Sequence, residues 1–331
     1  MKRLSWILLC AILLLTLSSC DTEQQHTKNF FLMDTLITVT LYTTDGAQAE
    51  AVFDECRVIL TFLESLWDRR NPSSEIYLFN VSQKGIDTMD PQTVSLLQTA
   101  LELSATTEGA FDITVAPLVD LWELCEQAQR LPTDAELREI LASVGAKNLA
   151  LSNKSLQKTN PNIQIDLGGI GKGAAIEILI DYLESTGIMG GLVSFGSNVA
   201  VFGEKLDGSD FCIALRDPKD ETATVGTLSL TGGKILSVSG DYERYVTVNG
   251  VNYHHIIDPK TGYPSDSGLS SVAVISSDGA VADALSTALF VMGQERAMEL
   301  YYAKNYDFEA IFISSEGVVT VTDGLKNSFT H

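Results

Sequence analysis

The chain has few of the residues that build zinc sites and disulfide frameworks. Its 331 residues include 5 cysteines and 4 histidines, and no two cysteines have the Cys-x-x-Cys spacing. Because both kinds of structure depend on such spacings, neither is expected here. Cys56, Cys125 and Cys212 lie in apolar surroundings, and we expect them to be buried free thiols.

Positive charge is also scarce. The chain has 22 lysines and arginines against 43 aspartates and glutamates, which gives a formal net charge of -21. Proteins bind nucleic acid mainly by neutralising phosphates with lysine and arginine, so this composition argues against a nucleic-acid partner. An anionic substrate would need a local cation, and a divalent metal ion is the most suitable source.

The N-terminus has the pattern of a bacterial lipoprotein leader. Lys2 and Arg3 precede a largely apolar stretch over residues 4–17, which is too short to span a membrane. Small residues then lead directly to Cys20, which would be lipidated and would hold the protein on the outer face of the bacterial cell membrane. A plain secretory signal or a transmembrane anchor is the alternative. The predicted regions are a lipoprotein signal peptide over residues 1–19, a lipidated tether over 20–29 and a single domain over 30–331.

Turn residues between alternating apolar runs predict an α+β fold with largely antiparallel sheets and flanking helices. Asn249 and Gly250 separate two such runs and predict a tight β-hairpin. Thr133 and Glu136 have the spacing of a capping box at a helix start. A strand is predicted over residues 163–167. Helices are predicted over residues 46–67, 91–106, 117–130, 174–185 and 279–291.

The segment 168–173, Gly-Gly-Ile-Gly-Lys-Gly, is a candidate phosphate-binding turn. A Walker A motif is excluded, because Asp166 replaces the upstream glycine and Gly173 replaces the Ser or Thr that would hold Mg²⁺. A dinucleotide-binding turn fits better, but hairpins rather than parallel strands follow it. A tight turn without a ligand is the other alternative. The glycines still let the backbone approach a ligand closely, the helix start attracts anions, and Lys172 adds positive charge.

Asp283 and Thr287 are four residues apart in a predicted helix and therefore share one face. Carboxylate and hydroxyl oxygens are ligands that Mg²⁺ accepts, with waters and substrate phosphates completing its octahedron. A capping pair or a solvent-exposed pair is the alternative.

His254 and His255 end an alternating run and precede a turn over residues 258–262 that contains Pro and Gly. In a strand the two imidazoles point to opposite faces, so at most one of them lines a given pocket. His255 is the candidate for proton transfer, and a pair of structural histidines is the alternative. Residues 108–122 place aromatic rings, a carboxylate and hydroxyls on a turn, a cluster that suits an aromatic heterocycle or a core.

Six stretches, in the same order, resemble the ApbE family, the FAD:protein FMN transferases. The resemblance covers nearly the whole chain after the leader. The chain departs from the family pattern at Asp34, where glycine is common, and over residues 195–198, where a Gly-Gly pair is usual. The six motifs are Met33-Asp34-Thr35 and residues 109–115, 166–173, 239–244, 255–262 and 283–287.

By this resemblance, the fold is a duplicated α+β unit, similar to the T-fold, and FAD lies in the groove between its halves. The residues that would contact FAD are Met33, Trp67, Ala110, Phe111, Asp112, Lys172 and Ile257. The residues that would bind Mg²⁺ are Ala175, through its carbonyl, Asp283, Ser286 and Thr287. The general base of the family maps to His255.

The resemblance implies that the protein transfers FMN from its substrate FAD to a Thr or Ser hydroxyl of an acceptor protein. A phosphoester bond forms and AMP is released, with Mg²⁺ as the cofactor. Two alternatives stay open. The protein could be a Mg²⁺-dependent FAD pyrophosphatase that gives FMN and AMP, or a non-catalytic FAD-binding lipoprotein.

Overall fold

The structure, a computed structural model, describes residues 24–331. The predicted signal peptide and the lipidation site at Cys20 lie outside the described residues. Residues 24–29, which we expected in the tether, instead form the start of the first strand. Among the described helices, none is both long enough and apolar enough to cross a bilayer.

Eight α-helices lie within residues 24–331. They are α1 (Gly46–Trp67), α2 (Glu75–Val81), α3 (Pro91–Thr106), α4 (Ala116–Gln127), α5 (Asp134–Leu141), α6 (Gly171–Ser185), α7 (Gly279–Met292) and α8 (Gln294–Ala303). Helix α5 begins with the predicted capping box, in which the side chains of Thr133 and Glu136 each accept the other residue's backbone N–H. Helix α1 buries Phe53, Leu60 and Leu63, whose helical spacing places them on the side that faces the core.

Sixteen strands lie in the same part of the chain. The first eight are β1 (Gln24–Leu32), β2 (Thr35–Thr43), β3 (Gly85–Ile86), β4 (Leu149–Ser152), β5 (Ser155–Lys158), β6 (Gly190–Phe195), β7 (Asn198–Gly203) and β8 (Phe211–Asp217). The others are β9 (Asp220–Leu230), β10 (Lys234–Gly240), β11 (Tyr245–Val248), β12 (Val251–His254), β13 (Leu269–Ser276), β14 (Glu309–Ser314), β15 (Val319–Val321) and β16 (Phe329–Thr330).

A central sheet of eight strands organises the fold. Its strand order is β1-β2-β6-β7-β10-β13-β14-β15, and every neighbouring pair is antiparallel. Three small antiparallel sheets accompany it, formed by β11-β12, by β16-β9-β8 and by β3-β5-β4. The predicted α+β class with largely antiparallel sheets is confirmed.

The middle of the central sheet is buried on both faces. Along β13, Val272 and Val274 belong to the main core, whereas Ala273 and Ile275 belong to a second core. Helices α1, α6 and α7 supply the main core, and strands β8 and β9 cover the second. The molecule therefore has three layers, and burial on both faces explains why β13 is apolar or small throughout.

Two tight hairpins lie near the candidate site. Asn249 and Gly250 join β11 to β12 with φ angles of 51° and 79°, so the predicted hairpin is present. Met33 and Asp34 join β1 to β2 with φ angles of 52° and 56°. Two consecutive positive φ angles are typical of the type I′ turn, whose twist matches that of the strands it connects.

Three local predictions were wrong, and helix α4 ends at Gln127, three residues before the predicted end at residue 130. The segment 163–167 has no regular secondary structure and joins no sheet. The side-chain amide of Asn80 takes the place of a partner strand: it accepts from the Ile165 N–H at 2.7 Å and donates to the Ile165 carbonyl at 2.9 Å. Helix α6 begins at Gly171, three residues earlier than predicted. Cys212 is exposed, because β8 alternates and turns this side chain outward, whereas Cys56 and Cys125 are buried as expected.

Candidate active site

The glycine-rich turn packs directly against the start of α7. A Cβ atom added at Gly173 would lie 2.0 Å from the Gly279 carbonyl oxygen, and one added at Gly279 would lie 2.1 Å from that of Gly173. Only glycine permits so close an approach of two backbones. The approach brings Asp283 to the turn, where its Oδ2 accepts the Gly173 N–H at 2.9 Å.

Hydroxyl groups lie one helical turn further along α7. The Ser239 hydroxyl of β10 is 2.7 Å from the Ser286 Oγ and 3.2 Å from the Thr287 Oγ1. Ser286 is fully buried and its hydroxyl also donates to the Asp283 carbonyl at 2.8 Å. The Thr287 hydroxyl is directed toward the glycine turn, 3.7 Å from the position of a Cβ at Gly169. Asp283 and Thr287, predicted from their spacing, are therefore brought together with residues 168–173.

The donor set suits Mg²⁺ better than a softer metal. Asp283 is only 5% exposed, yet it forms no ion pair with Lys, Arg or His within residues 24–331. No group of three or more His, Cys, Asp or Glu side chains that could hold a metal ion occurs in the described chain. A buried carboxylate without a cation, beside the Thr287 and Ser239 hydroxyls, fits a metal that uses one or two carboxylates and completes its shell with water and substrate oxygens. Ala175 is fully buried near the start of α6, and the hydroxyl of Ser286 is already engaged within the fold.

The two adjacent histidines have different surroundings. Both ring nitrogens of His254 are used within the fold, because Nε2 lies 3.0 Å from the Ser265 carbonyl and Nδ1 accepts the Ile256 N–H at 3.3 Å. The ring also packs edge-on against Phe290. The Nδ1 of His255 lies 3.0 Å from the Arg244 carbonyl. The arrangement gives His254 a structural role and leaves the Nε2 of His255 as the ring nitrogen that can face a substrate.

The surroundings of His255 favour its neutral form. The pKa of the His255 imidazole is lowered to about 4, mainly because neighbouring groups desolvate it, even though part of its surface stays open to solvent. The charges of Arg244 and Lys172 lower this pKa further, while the hydrogen bond to the Arg244 carbonyl acts in the opposite direction. The imidazole is therefore neutral, and able to accept a proton, at neutral pH.

The two aromatic residues among the predicted FAD contacts flank the glycine turn. The Phe111 Cε2 lies 3.4 Å from the position of a Cβ at Gly169, and the Trp67 Cε3 lies 3.8 Å from that at Gly171. Both side chains are buried, and the Trp67 Nε1 donates to the Thr93 hydroxyl at 3.2 Å. Their rings are thus placed together at one turn, where they are available as the wall of a binding site.

The carboxylate of Asp112 is used by its own segment. Its Oδ1 accepts from the backbone N–H and the hydroxyl of Thr114 at 2.8 and 2.6 Å, and its Oδ2 accepts the Ala146 N–H at 2.9 Å. Asp112 therefore shapes the turn that carries Ala110 and Phe111, which are both buried. This geometry gives Asp112 a supporting position.

The remaining predicted contacts lie around the same region. Lys172 is partly exposed and donates from Nζ to the Gly168 carbonyl at 3.2 Å, within the turn itself. The Met33 N–H donates to the Glu64 Oε1 at 2.6 Å at the tip of the β1-β2 hairpin. Ile257 packs against the small apolar cluster of α4 and α5, two residues from His255.

A sequence model of the ApbE family matches residues 33–312 of this chain. The chain belongs to the ApbE family. It is 31% identical to the FAD:protein FMN transferase of Vibrio cholerae over 318 residues, and the aligned region covers 95% of each chain. It is also 31% identical to the FAD:protein FMN transferase of Haemophilus influenzae, over 100% of this chain and 99% of that one.

Solved ApbE structures have the same fold. The ApbE protein of Thermotoga maritima superposes with a TM-score of 0.84 at 28% identity, over 93% of this chain and 100% of the other. The apo flavinyl transferase ApbE of Pseudomonas stutzeri gives a TM-score of 0.81 at 30% identity, over 93% of this chain and 97% of the other. The family resemblance inferred from the six motifs is confirmed.

Reasoning from the sequence missed two residues at the candidate site. Ser239 joins β10 to the hydroxyls of α7, and the sequence indicates it only through its place in the motif 239–244. Arg69 contacts Asp166 directly before the glycine turn, although it lies 97 positions earlier in the chain. The contacts of both residues join segments that are distant along the chain.

Proposed function

We propose that this chain transfers FMN from FAD to a Thr or Ser hydroxyl of an acceptor protein and releases AMP. Membership of the ApbE family supports FMN transfer from FAD. The observation that carries the proposal is the contact of Asp283 with Gly173, because it joins a buried, unpaired carboxylate to a turn suited to a pyrophosphate. FAD contains such a pyrophosphate, between its FMN and AMP halves.

His255 is the proposed general base. A carbonyl oxygen can only accept a hydrogen bond, so the contact with the Arg244 carbonyl requires a hydrogen on the Nδ1 of His255. In the neutral ring the lone pair is then on Nε2, which can take the proton of an acceptor hydroxyl. The hydroxyl oxygen forms a bond to the FMN-side phosphorus, the bond from that phosphorus to the AMP oxygen breaks, and AMP leaves.

The pyrophosphate needs local positive charge in a chain whose net charge is -21. The backbone N–H groups at the start of α6 and the Lys172 ammonium supply part of it. We propose that Asp283, Thr287 and Ser239, with the predicted ligands Ala175 and Ser286, would hold Mg²⁺. When bound there, Mg²⁺ supplies further positive charge to the pyrophosphate oxygens.

We also propose that Cys20 carries a lipid that anchors the protein to the outer face of the bacterial cell membrane. The leader pattern of residues 1–20 supports this proposal. Cys20→Ser should release a soluble protein that still transfers FMN. Retention of this variant in the membrane fraction would indicate an uncleaved anchor.

The transfer is tested by incubating the protein with FAD, Mg²⁺ and a candidate acceptor protein, followed by intact-mass and nucleotide analysis. The proposal requires an acceptor that gains FMN with an equal amount of AMP. Free FMN and AMP without a modified acceptor would identify an FAD pyrophosphatase. FAD that is bound but unchanged would identify a binding protein.

A further inference from the structure

Arg69 joins two helices to the glycine turn. It follows the C-terminal end of α1, and its side chain is only 13% exposed. Its Nη2 lies 2.8 Å from the Oδ1 of Asp120 on α4, and its Nε lies 2.9 Å from the Oδ2 of Asp166. Burial lowers the pKa of Arg69, but the hydrogen bond to Asp120 and the charge of Asp166 raise it above its ordinary value.

Asp166 connects Arg69 to the glycine turn. While its Oδ2 pairs with Arg69, its Oδ1 accepts the Gly168 N–H at 2.8 Å. Its own N–H donates to the Ile113 carbonyl at 2.8 Å, which connects the turn to the segment of Ala110 and Phe111. Asp166 thus fixes where the glycine turn begins through its carboxylate, and how the turn lies against that segment through its backbone N–H.

We propose that Arg69 is a positioning residue that holds the glycine turn in place through Asp166 and thereby sets the affinity for the FAD pyrophosphate. The inference rests on the proposed function for its ligand. Without Arg69, the partly buried Asp166 carboxylate would lose its charged partner and would turn toward water, releasing the Gly168 N–H. A turn that is not fixed before binding must be ordered during binding, which weakens affinity.

The shape of the guanidinium explains why an arginine is needed. Its separate N–H groups reach Asp120 and Asp166 at the same time. A lysine ammonium is a compact charge and cannot reproduce this two-armed contact. Arg69→Lys should therefore restore only part of the wild-type behaviour.

The next residue along the chain is a matched control. Arg70 pairs with Glu123 on the same helix as Asp120, but its side chain is 65% exposed and its ion pair does not include the glycine turn. Arg70→Met removes the same charge and the same kind of helix contact as Arg69→Met. Any effect specific to the turn should be confined to Arg69.

The first test measures the Kd for FAD by flavin fluorescence titration in full-length variants. Arg69→Met and Asp166→Asn should each raise the Kd about tenfold, the scale expected for supporting contacts. The double variant should bind FAD no more weakly than the weaker-binding single variant, because both changes break the same contact, that of Arg69 with Asp166. Arg70→Met should bind as the wild type does. In steady-state transfer assays, the variants should change kcat less than they change the KM for FAD.

The second test does not depend on FAD. Hydrogen exchange in the free protein should be faster over residues 166–173 in Arg69→Met and unchanged there in Arg70→Met. Unchanged exchange, or losses of FAD affinity that multiply in the double variant, would overturn the inference. If Arg69→Met does not fold, Arg69→Lys and Asp166→Asn give the same comparison. A wild-type protein that neither binds nor converts FAD would overturn the proposed function, while the exchange experiment would still decide the role of Arg69.

Discussion

The side-chain carboxylate of Asp283 accepts the backbone N–H of Gly173 at 2.9 Å, although the two residues are 110 positions apart in the chain. The contact joins the start of α6, which carries the glycine turn, to the helix that carries the candidate metal ligands. The proposed pyrophosphate and metal sites therefore belong to one packed unit, and a change at the contact should affect both.

Gly173→Ala should destabilise the protein and abolish FMN transfer. Its Cβ would lie 2.0 Å from the Gly279 carbonyl oxygen and 2.5 Å from the Asp283 Cβ, so α6 and α7 would have to separate. Overpacking of this kind costs about 1–3 kcal/mol or more, measured by urea unfolding. Gly171→Ala is the control, because its Cβ would meet no atom closer than 3.8 Å. Equal stability of the two variants would contradict the close approach.

Mg²⁺ should stabilise the wild-type protein but not Asp283→Asn. A ligand that binds only the folded state raises its stability by about 2.7 kcal/mol at 100 times its Kd, which thermal unfolding with and without Mg²⁺ can detect. Asparagine keeps the shape of the side chain but removes the charge that would attract the metal. EDTA should stop FMN transfer by the wild type.

The control for this experiment is Asp181→Asn, which removes an exposed carboxylate from α6. It should respond to Mg²⁺ as the wild type does. An equal response of Asp283→Asn would place the metal elsewhere on the chain.

Local patterns were sufficient to predict the long helices. Helices α1 and α3 span residues 46–67 and 91–106 as predicted, because apolar periodicity and end signals lie within each segment. The same kind of local argument failed for residues 163–167. Their partner is the side chain of Asn80, 85 positions away from Ile165, and no local pattern reveals such a pairing.

In the candidate site, too, local features were predictable from the sequence and long-range contacts were not. The pairing of Asp283 with Thr287 follows from helical spacing alone. The placement of both against the glycine turn depends on the contact between Gly173 and Gly279, which arises only when two helices pack. Ser239 was missed for this reason, since its motif over residues 239–244 does not show that its hydroxyl lies beside those of α7.

Arg244→Gln should move the acid limb of the pH–rate profile to higher pH. In the wild type the pKa of His255 is about 4, so kcat/KM should fall only as the pH approaches this value and the base becomes protonated. Removing the Arg244 charge removes one cause of the lowered pKa, while its backbone carbonyl still orients the imidazole. Protonation of the base would then begin at a higher pH.

Arg57→Gln, which changes an exposed arginine on α1, should leave the acid limb in place. His255→Ala should lower the rate by roughly 100-fold or more at neutral pH and keep FAD binding. An acid limb that remains in His255→Ala would assign the titration to another group.

Trp122→Phe should weaken both the fold and the turn that follows His255. The Trp122 Nε1 donates to the Gly262 carbonyl at 2.8 Å, and Gly262 has a φ of 74° in that turn. Phenylalanine fills most of the space but leaves a buried carbonyl without its donor, at a cost of about 1–3 kcal/mol in the free energy of unfolding. Because the turn supports the backbone beside His255, kcat should fall as well.

Tyr301→Phe removes a tyrosine hydroxyl that donates to Glu309, away from His255, so it should lower stability without changing kcat. Loss of stability with an unchanged kcat in Trp122→Phe would show that the turn does not position the base.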